Sequence, residues 1–209
     1  MAAPSLRILQ SFHAITARGK AIYDSFQELY THGTSAQGVI DLAPTDFCLA
    51  TGAPLAVFAN GASSVPGLDF TGSKAFGIRW NNNATLDAVL TSFLVPPDMD
   101  ITVTASAVVQ AAKIGANAGD LPTFAVGAFN QVVGALYDAD ANYGGNTGAM
   151  TNAATKTIQS VSVTLALADL AAYPARVTVT VKPTDGTLTN DDLLVLGLRI
   201  NYTTKLRTS

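Results

Sequence analysis

Along most of the chain, apolar and polar positions alternate one residue at a time. In "RVTVTVK", Val177, Val179 and Val181 alternate with Arg176, Thr178, Thr180 and Lys182. In "SVSVTLAL", Val161, Val163, Leu165 and Leu167 alternate with serine, threonine and alanine, and "KAFGIRW" puts Phe76, Ile78 and Trp80 in phase. "ITVTASA" sets Ile101, Val103, Ala105 and Ala107 against threonine and serine. "LGLRINYT" sets Leu196, Leu198, Ile200 and Tyr202 against Arg199, Asn201 and Thr203. Successive side chains of a strand point to opposite faces, so a period of two predicts strands with one buried face. About eight or nine candidates follow, near 54–59, 74–80, 88–95, 101–110, 122–129, 131–137, 156–167, 175–182 and 193–205. Turn phrases separate them, among them "PPDMD", "GANAGDLP" and "KPTDG", with the Pro, Asp, Asn and Gly chemistry that turns require.

The first part of the chain has a different rhythm. Ile8, Phe12, Ile15, Ile22, Phe26 and Leu29 are spaced by threes, fours and a seven, which places them on one face of a helix. Gly19 interrupts this stretch, and "THGTSAQG", residues 31 to 38, has the composition of a linker. The stripe has two readings. It packs back on its own domain, or it docks on a neighbouring subunit or partner, as amphipathic helices do in grooves. The second reading makes those six residues the candidate partner-binding set.

Long helical stretches between the strand candidates are absent, which argues against a parallel βαβ sheet. Only "LALADLAAYP", residues 165 to 174, reads as a short helical turn. The expected fold class is therefore all-β: an antiparallel jelly-roll β-sandwich with an N-terminal, partly helical arm. The expected division is an arm and linker over 1–45 and a jelly-roll domain over 46–209.

Composition adds a constraint on partners. Of 209 residues, 48% are hydrophobic and only 13% are charged, about half the usual charged share. Such a chain often hides surface in an oligomer or against a partner. The net charge of −3 provides no basic footprint, so nucleic acid is not the expected partner. The single cysteine, Cys48, excludes an internal disulfide and reads as a buried apolar thiol. No apolar run is long enough for a membrane helix. "MAAPSLRILQSFHAITARGK" lacks the apolar core of a secretory signal, so synthesis in a cytoplasm is expected.

Catalytic chemistry is not expected. His13 and His32 lie outside the strand region, and neither has a second ligand at zinc spacing. No G-x-S-x-G, phosphate loop or dinucleotide fingerprint occurs. The aspartates of the strand region sit in or beside turns, where they cap backbone amides, and Glu28 is the only glutamate. "YDADANYGG" spaces Asp138, Asp140 and Asn142 like calcium ligands. The glycine expected next is Tyr143 and the closing glutamate is Ala149, so the stretch reads as part of a polar inter-strand loop over 138–155. No metal or other cofactor is expected. Trp80 falls on an inward face and reads as core. Tyr137 and Tyr143 are the candidate sugar-stacking residues.

The block "IRWNNNATLDAVLTSFLVPPDMDITVTASAVVQAAKIGA", then "FNQVVGALYDADANYGG" and "VTLALADLAAYPARVTVTVKPTDGTLTNDDLLVLGLRINYTTKL", resembles jelly-roll capsid cement, or decoration, proteins of tailed bacteriophages. The resemblance covers roughly residues 74 to 206 and leaves residues 1 to 45 outside. It implies a non-enzymatic virion protein on the capsid exterior, with major capsid protein and copies of itself, as trimer or dimer, as partners. The rival expectation is a receptor- or carbohydrate-binding phage module, such as a head fibre or tail accessory protein, because fold alone does not select between them.

Overall fold

The computed structural model describes residues 37–57, 65–69, 75–82, 86–134, 146–151, 154–166, 170–184 and 187–205. The N-terminal stripe from Ile8 to Leu29, both histidines, Tyr137, Tyr143 and the Asp138–Asp140–Asn142 set lie outside them. The compact unit Gly38–Lys205 is the sandwich.

Among the described residues, eleven strands form two sheets. They are β1 (Gln37–Leu42), β2 (Cys48–Leu49), β3 (Gly67–Asp69), β4 (Gly77–Trp80), β5 (Val89–Leu94), β6 (Ser106–Ile114), β7 (Thr123–Gln131), β8 (Asn146–Ala149), β9 (Gln159–Thr164), β10 (Arg176–Pro183) and β11 (Asp192–Thr203). One sheet runs β3-β4-β11-β6-β9, with β1 also paired to β11; the other runs β2-β5-β10-β7-β8. Numbered from β4, the eight main strands read first-eighth-third-sixth in one sheet and second-seventh-fourth-fifth in the other. That interleaving is the jelly roll, and the expected antiparallel sandwich is the fold. β1 belongs to the sandwich, so the β-domain begins before residue 46. A short 3-10 turn, Pro44–Asp46, carries the chain from β1 in one sheet to β2 in the other. Asp46 holds that turn by accepting the Ala43 amide at 2.7 Å.

The alternation does what it predicts in β9 and β10. Val161, Val163, Val177, Val179 and Val181 all face the core. Trp80, Phe124, Val126, Val109 and Ile200 meet them from the neighbouring strands. Each large apolar side chain so buried contributes about 1.5–3 kcal/mol. Trp80 is fully buried and its indole N–H donates to the Asp87 carbonyl at 2.8 Å, which satisfies its only polar atom.

Several expectations need correction. Residues 101–104 of "ITVTASA" form a turn, and β6 starts only at Ser106. Asp100 accepts both the amide and the hydroxyl of Thr102 there, which bends the chain despite its alternation. The candidate at 54–59 reduces to isolated bridges at Pro54 and Val57 among the described residues. Of the candidate at 131–137, Gln131 ends β7 and residues 132–134 pass into a turn, while 135–137 lie outside the described residues. Within the loop expected over 138–155, "NTGA" forms β8, paired to β7 from Asn146↔Val126 to Ala149↔Thr123. Cys48 is half-buried on β2, with its thiol 3.6 Å from the Leu90 carbonyl, rather than in the core.

The largest correction concerns β11. Its pairing with β6 slips between Val195 and Gly197, a β-bulge. Before the slip Leu193 and Val195 belong to the main core, with Leu194 buried outside it; after it the core residues are Leu198, Ile200 and Tyr202. An extra residue in one strand inverts the inside-outside phase. Leu196, expected inward, is the inserted residue and is half-buried.

Candidate interaction surfaces

The two ends of the sandwich carry different chemistry. At the first end lie the connections β4–β5, β6–β7 and β10–β11. Here Lys113, on an inward position of β6, is wholly buried. Its ammonium pairs with Asp191 at 2.9 Å and donates to the carbonyls of Asp120, at 2.9 Å, and Asn117. Asp191 also accepts the Asn117 amide at 2.9 Å. The Asp120 carboxylate accepts the amides of Thr189, Asn190 and Asp191 at 3.1, 2.7 and 2.8 Å, and the Thr189 hydroxyl at 2.8 Å. Burial alone would push this carboxyl up, but those donors outweigh it and hold it at about 2. Toward the same end, Arg79 bridges Asp69 at 3.1 Å and Asp192 at 2.5 Å. Burial opposes the Arg79 charge, yet the two carboxylates more than compensate and raise its pKa.

These contacts define what the carboxylates do. Asp100, Asp120, Asp191 and Asp192 accept backbone amides beside turns, as the sequence predicts. Asp69 departs from that expectation, since it lies within β3 and neutralises Arg79. A glycosidase needs one carboxyl held protonated as an acid beside a free carboxylate. Asp120 and Asp191 are tied to amides and a buried ammonium instead.

The opposite end exposes a larger set of apolar side chains than the first, where Leu121 and Ile158 are exposed. Arg176 at the start of β10 is in register with Leu94 and Gln131, the last residues of β5 and β7. Leu94 is 50% exposed and Val133, just beyond β7, is 75% exposed. Val132 and Val103, in the β7–β8 and β5–β6 connections, are also exposed, and Tyr173, in the β9–β10 connection, is 52% exposed. Backbone bonds tie the described parts of the connections here, such as Val95 to the Ala175 carbonyl at 3.0 Å and Asp100 to the Thr203 carbonyl at 2.7 Å. Tyr202 reaches Asp98 at 3.4 Å, and burial, then that carboxylate, raises the phenol's pKa. Sequence reasoning missed this end because Leu94, Val103, Val132 and Val133 sit in apolar runs that read as strand interior. Tyr173 is the exposed large aromatic among the described residues.

The outer faces differ as well. Ser160, Ser162 and Thr164 of β9 and Asn201 of β11 make the β11 sheet's outer face polar, with an Arg199–Asp41 ion pair at 2.8 Å. Beside the bulge this face holds a cleft of about 230 Å³ bordered by Asp41, Pro44, Gln110, Leu196, Gly197 and Arg199. On the β10 sheet, Thr178 and Thr180 are 7% and 4% exposed although their phase points outward. They lie in rows with Ser92 and Phe129, and with Leu90 and Gly127.

No family model matches the sequence, and no curated protein is similar to it. Among solved structures, the xylan-binding module CBM15 is similar at 10% identity and a TM-score of 0.47, over 82% of this chain and all (100%) of that one. The CBM35 from Cellvibrio japonicus Abf62 is similar at 14% identity and a TM-score of 0.42, over 81% of this chain and 100% of that one. The CBM22-1 xylan-binding domain from Paenibacillus barcinonensis Xyn10C reaches 7% identity and a TM-score of 0.41, over 83% and 99%.

Proposed function

We propose that the chain is a non-catalytic structural protein of a tailed-phage virion, made in the host cytoplasm, that docks on the capsid exterior and braces the shell. The observation that carries this reading is the apolar end formed by Leu94, Val103, Val132, Val133 and Tyr173. Exposed apolar residues grouped on one surface mark interaction sites, whereas scattered ones do not. Two further features support it: the sequence resemblance over roughly residues 74 to 206 and the low charge of 13%. The partners are major capsid protein and further copies of the chain, as trimer or dimer. Many copies bridging capsomers would stabilise the shell by multivalency. The apolar stripe Ile8, Phe12, Ile15, Ile22, Phe26 and Leu29, spaced in the sequence as on one helix face, supplies a second contact.

Cryo-microscopy of intact particles tests this. The wild-type chain should occupy the outer surface in many copies. Deleting residues 1 to 30 should lower occupancy while the β-domain stays folded. Absence of the protein from the capsid exterior would refute the reading.

A saccharide-binding module is the second reading. It is favoured by the cleft at the β11 bulge, where polar groups converge on a small concavity.

A further inference from the structure

We propose that the cleft at the β11 bulge is a subsite for a single neutral sugar ring, recognised through a vicinal pair of hydroxyls. This rests on the saccharide reading above and assigns that reading to particular residues. The bulge makes the cleft. It displaces Leu196 from the alternation and sets Gly197 opposite Gln110 of β6. Pro44 and Leu196 provide apolar walls, while Asp41, Arg199 and Gln110 provide the polar ones.

The polar groups are incompletely used. Arg199 donates from Nε to Asp41 Oδ1 at 2.8 Å. The two terminal NH2 groups of the guanidinium, the second oxygen of Asp41 and the half-buried Gln110 amide have no protein partner among the described residues. A guanidinium donates only, a carboxylate accepts only and an amide does both. Together they match two adjacent hydroxyls, each of which donates one hydrogen bond and accepts others. The apolar walls suit the C–H face of the same ring. Asp41 and Arg199 compensate each other's charge, so the site favours a neutral ligand over a phosphate or a metal ion. Its 230 Å³ is below the roughly 300–1,000 Å³ of drug-sized pockets, which limits it to about one ring.

Gly197 gives a clean probe. A Cβ there would meet only the Leu42 carbonyl oxygen, at 3.4 Å, and its backbone is not in the left-handed region. A larger side chain at Gly197 would fill the cleft without straining the main chain.

The test uses the full chain on a glycan array, followed by calorimetric titration with the best ligand found. Wild type should bind a neutral glycan. Gln110→Ala and Gly197→Val should each weaken binding by about tenfold or more, the loss expected for one hydrogen bond left unmade or one ring excluded. Their melting temperatures should match wild type. A wild-type chain that binds no glycan overturns both this site and the saccharide reading. A wild-type chain that binds, with affinity unchanged in both cleft variants but lost in Tyr173→Ala, overturns this site alone.

Discussion

At one end of the sandwich, Asp120 holds three successive amides of the β10–β11 connection while Lys113 holds the β6–β7 connection from within. At the other end, Leu94, Val132, Val133 and Tyr173 stand in water above connections whose described parts are tied by backbone bonds. Both ends cap the same two sheets. The first spends its ionic groups on its own loops and leaves few of them available to a partner. The second leaves its apolar side chains unspent. Under the proposed function, stability and docking fall at opposite ends of one core, and substitutions should separate them.

The largest effect is expected at Lys113. Lys113→Met keeps the apolar stem but leaves Asp191 buried without its cation, which should cost about 3–5 kcal/mol. Urea unfolding measures it, and a loss under about 1 kcal/mol would mean that this end is not fastened through the ion pair. Asp120→Asn should come next, with a loss on the order of 2 kcal/mol at neutral pH. The sign follows from the folded carboxyl standing at about 2 against a reference of 3.8. A depressed folded value stabilises above the unfolded pKa, and that stability disappears as pH falls from about 4 toward 2. The gap between wild type and Asp120→Asn should therefore close across that window, and a gap independent of pH would show that the charge is not what holds the loop. The smallest effect on stability belongs to the apolar end. Val132→Ser with Val133→Ser should leave unfolding within about 0.5 kcal/mol of wild type, as exposed substitutions do, yet reduce capsid occupancy. Unchanged occupancy would remove this end from the proposed interface.

Much of the sandwich is legible in the sequence because burial of one sheet face imposes the period of two directly on the residues. Val161, Val163, Val177, Val179 and Val181 report their phase without help. The rest depends on partners that lie far along the chain. "NTGA" has no apolar phase and low strand propensity, so only its ladder with β7 makes it β8. "QGVIDL" becomes β1 through β11. The bulge in β11 reads locally as an unbroken apolar run, "LLVLGLRI", and only the pairing with β6 shows where the phase turns over. Lys113 carried a faint signal: it occupies an inward phase after Ala107, Val109 and Ala111, where a lone charge must find a buried counterion. The apolar end was hidden by the same run-based logic that revealed the strands. The cleft was invisible because Asp41, Gln110 and Arg199 come from three strands.

The sheet orders also bear on how the chain folds during synthesis. β10 and β11 are the last described strands in chain order, yet each lies in the middle of its sheet, between β5 and β7 and between β4 and β6. Until they leave the ribosome, β5 and β7, or β4 and β6, cannot be joined into a layer, and the earlier strands have only their outermost neighbours. Such distant pairings favour slow, late closure. The nascent chain would thus wait with its apolar faces uncovered, and the two sheets would gain their centres almost together.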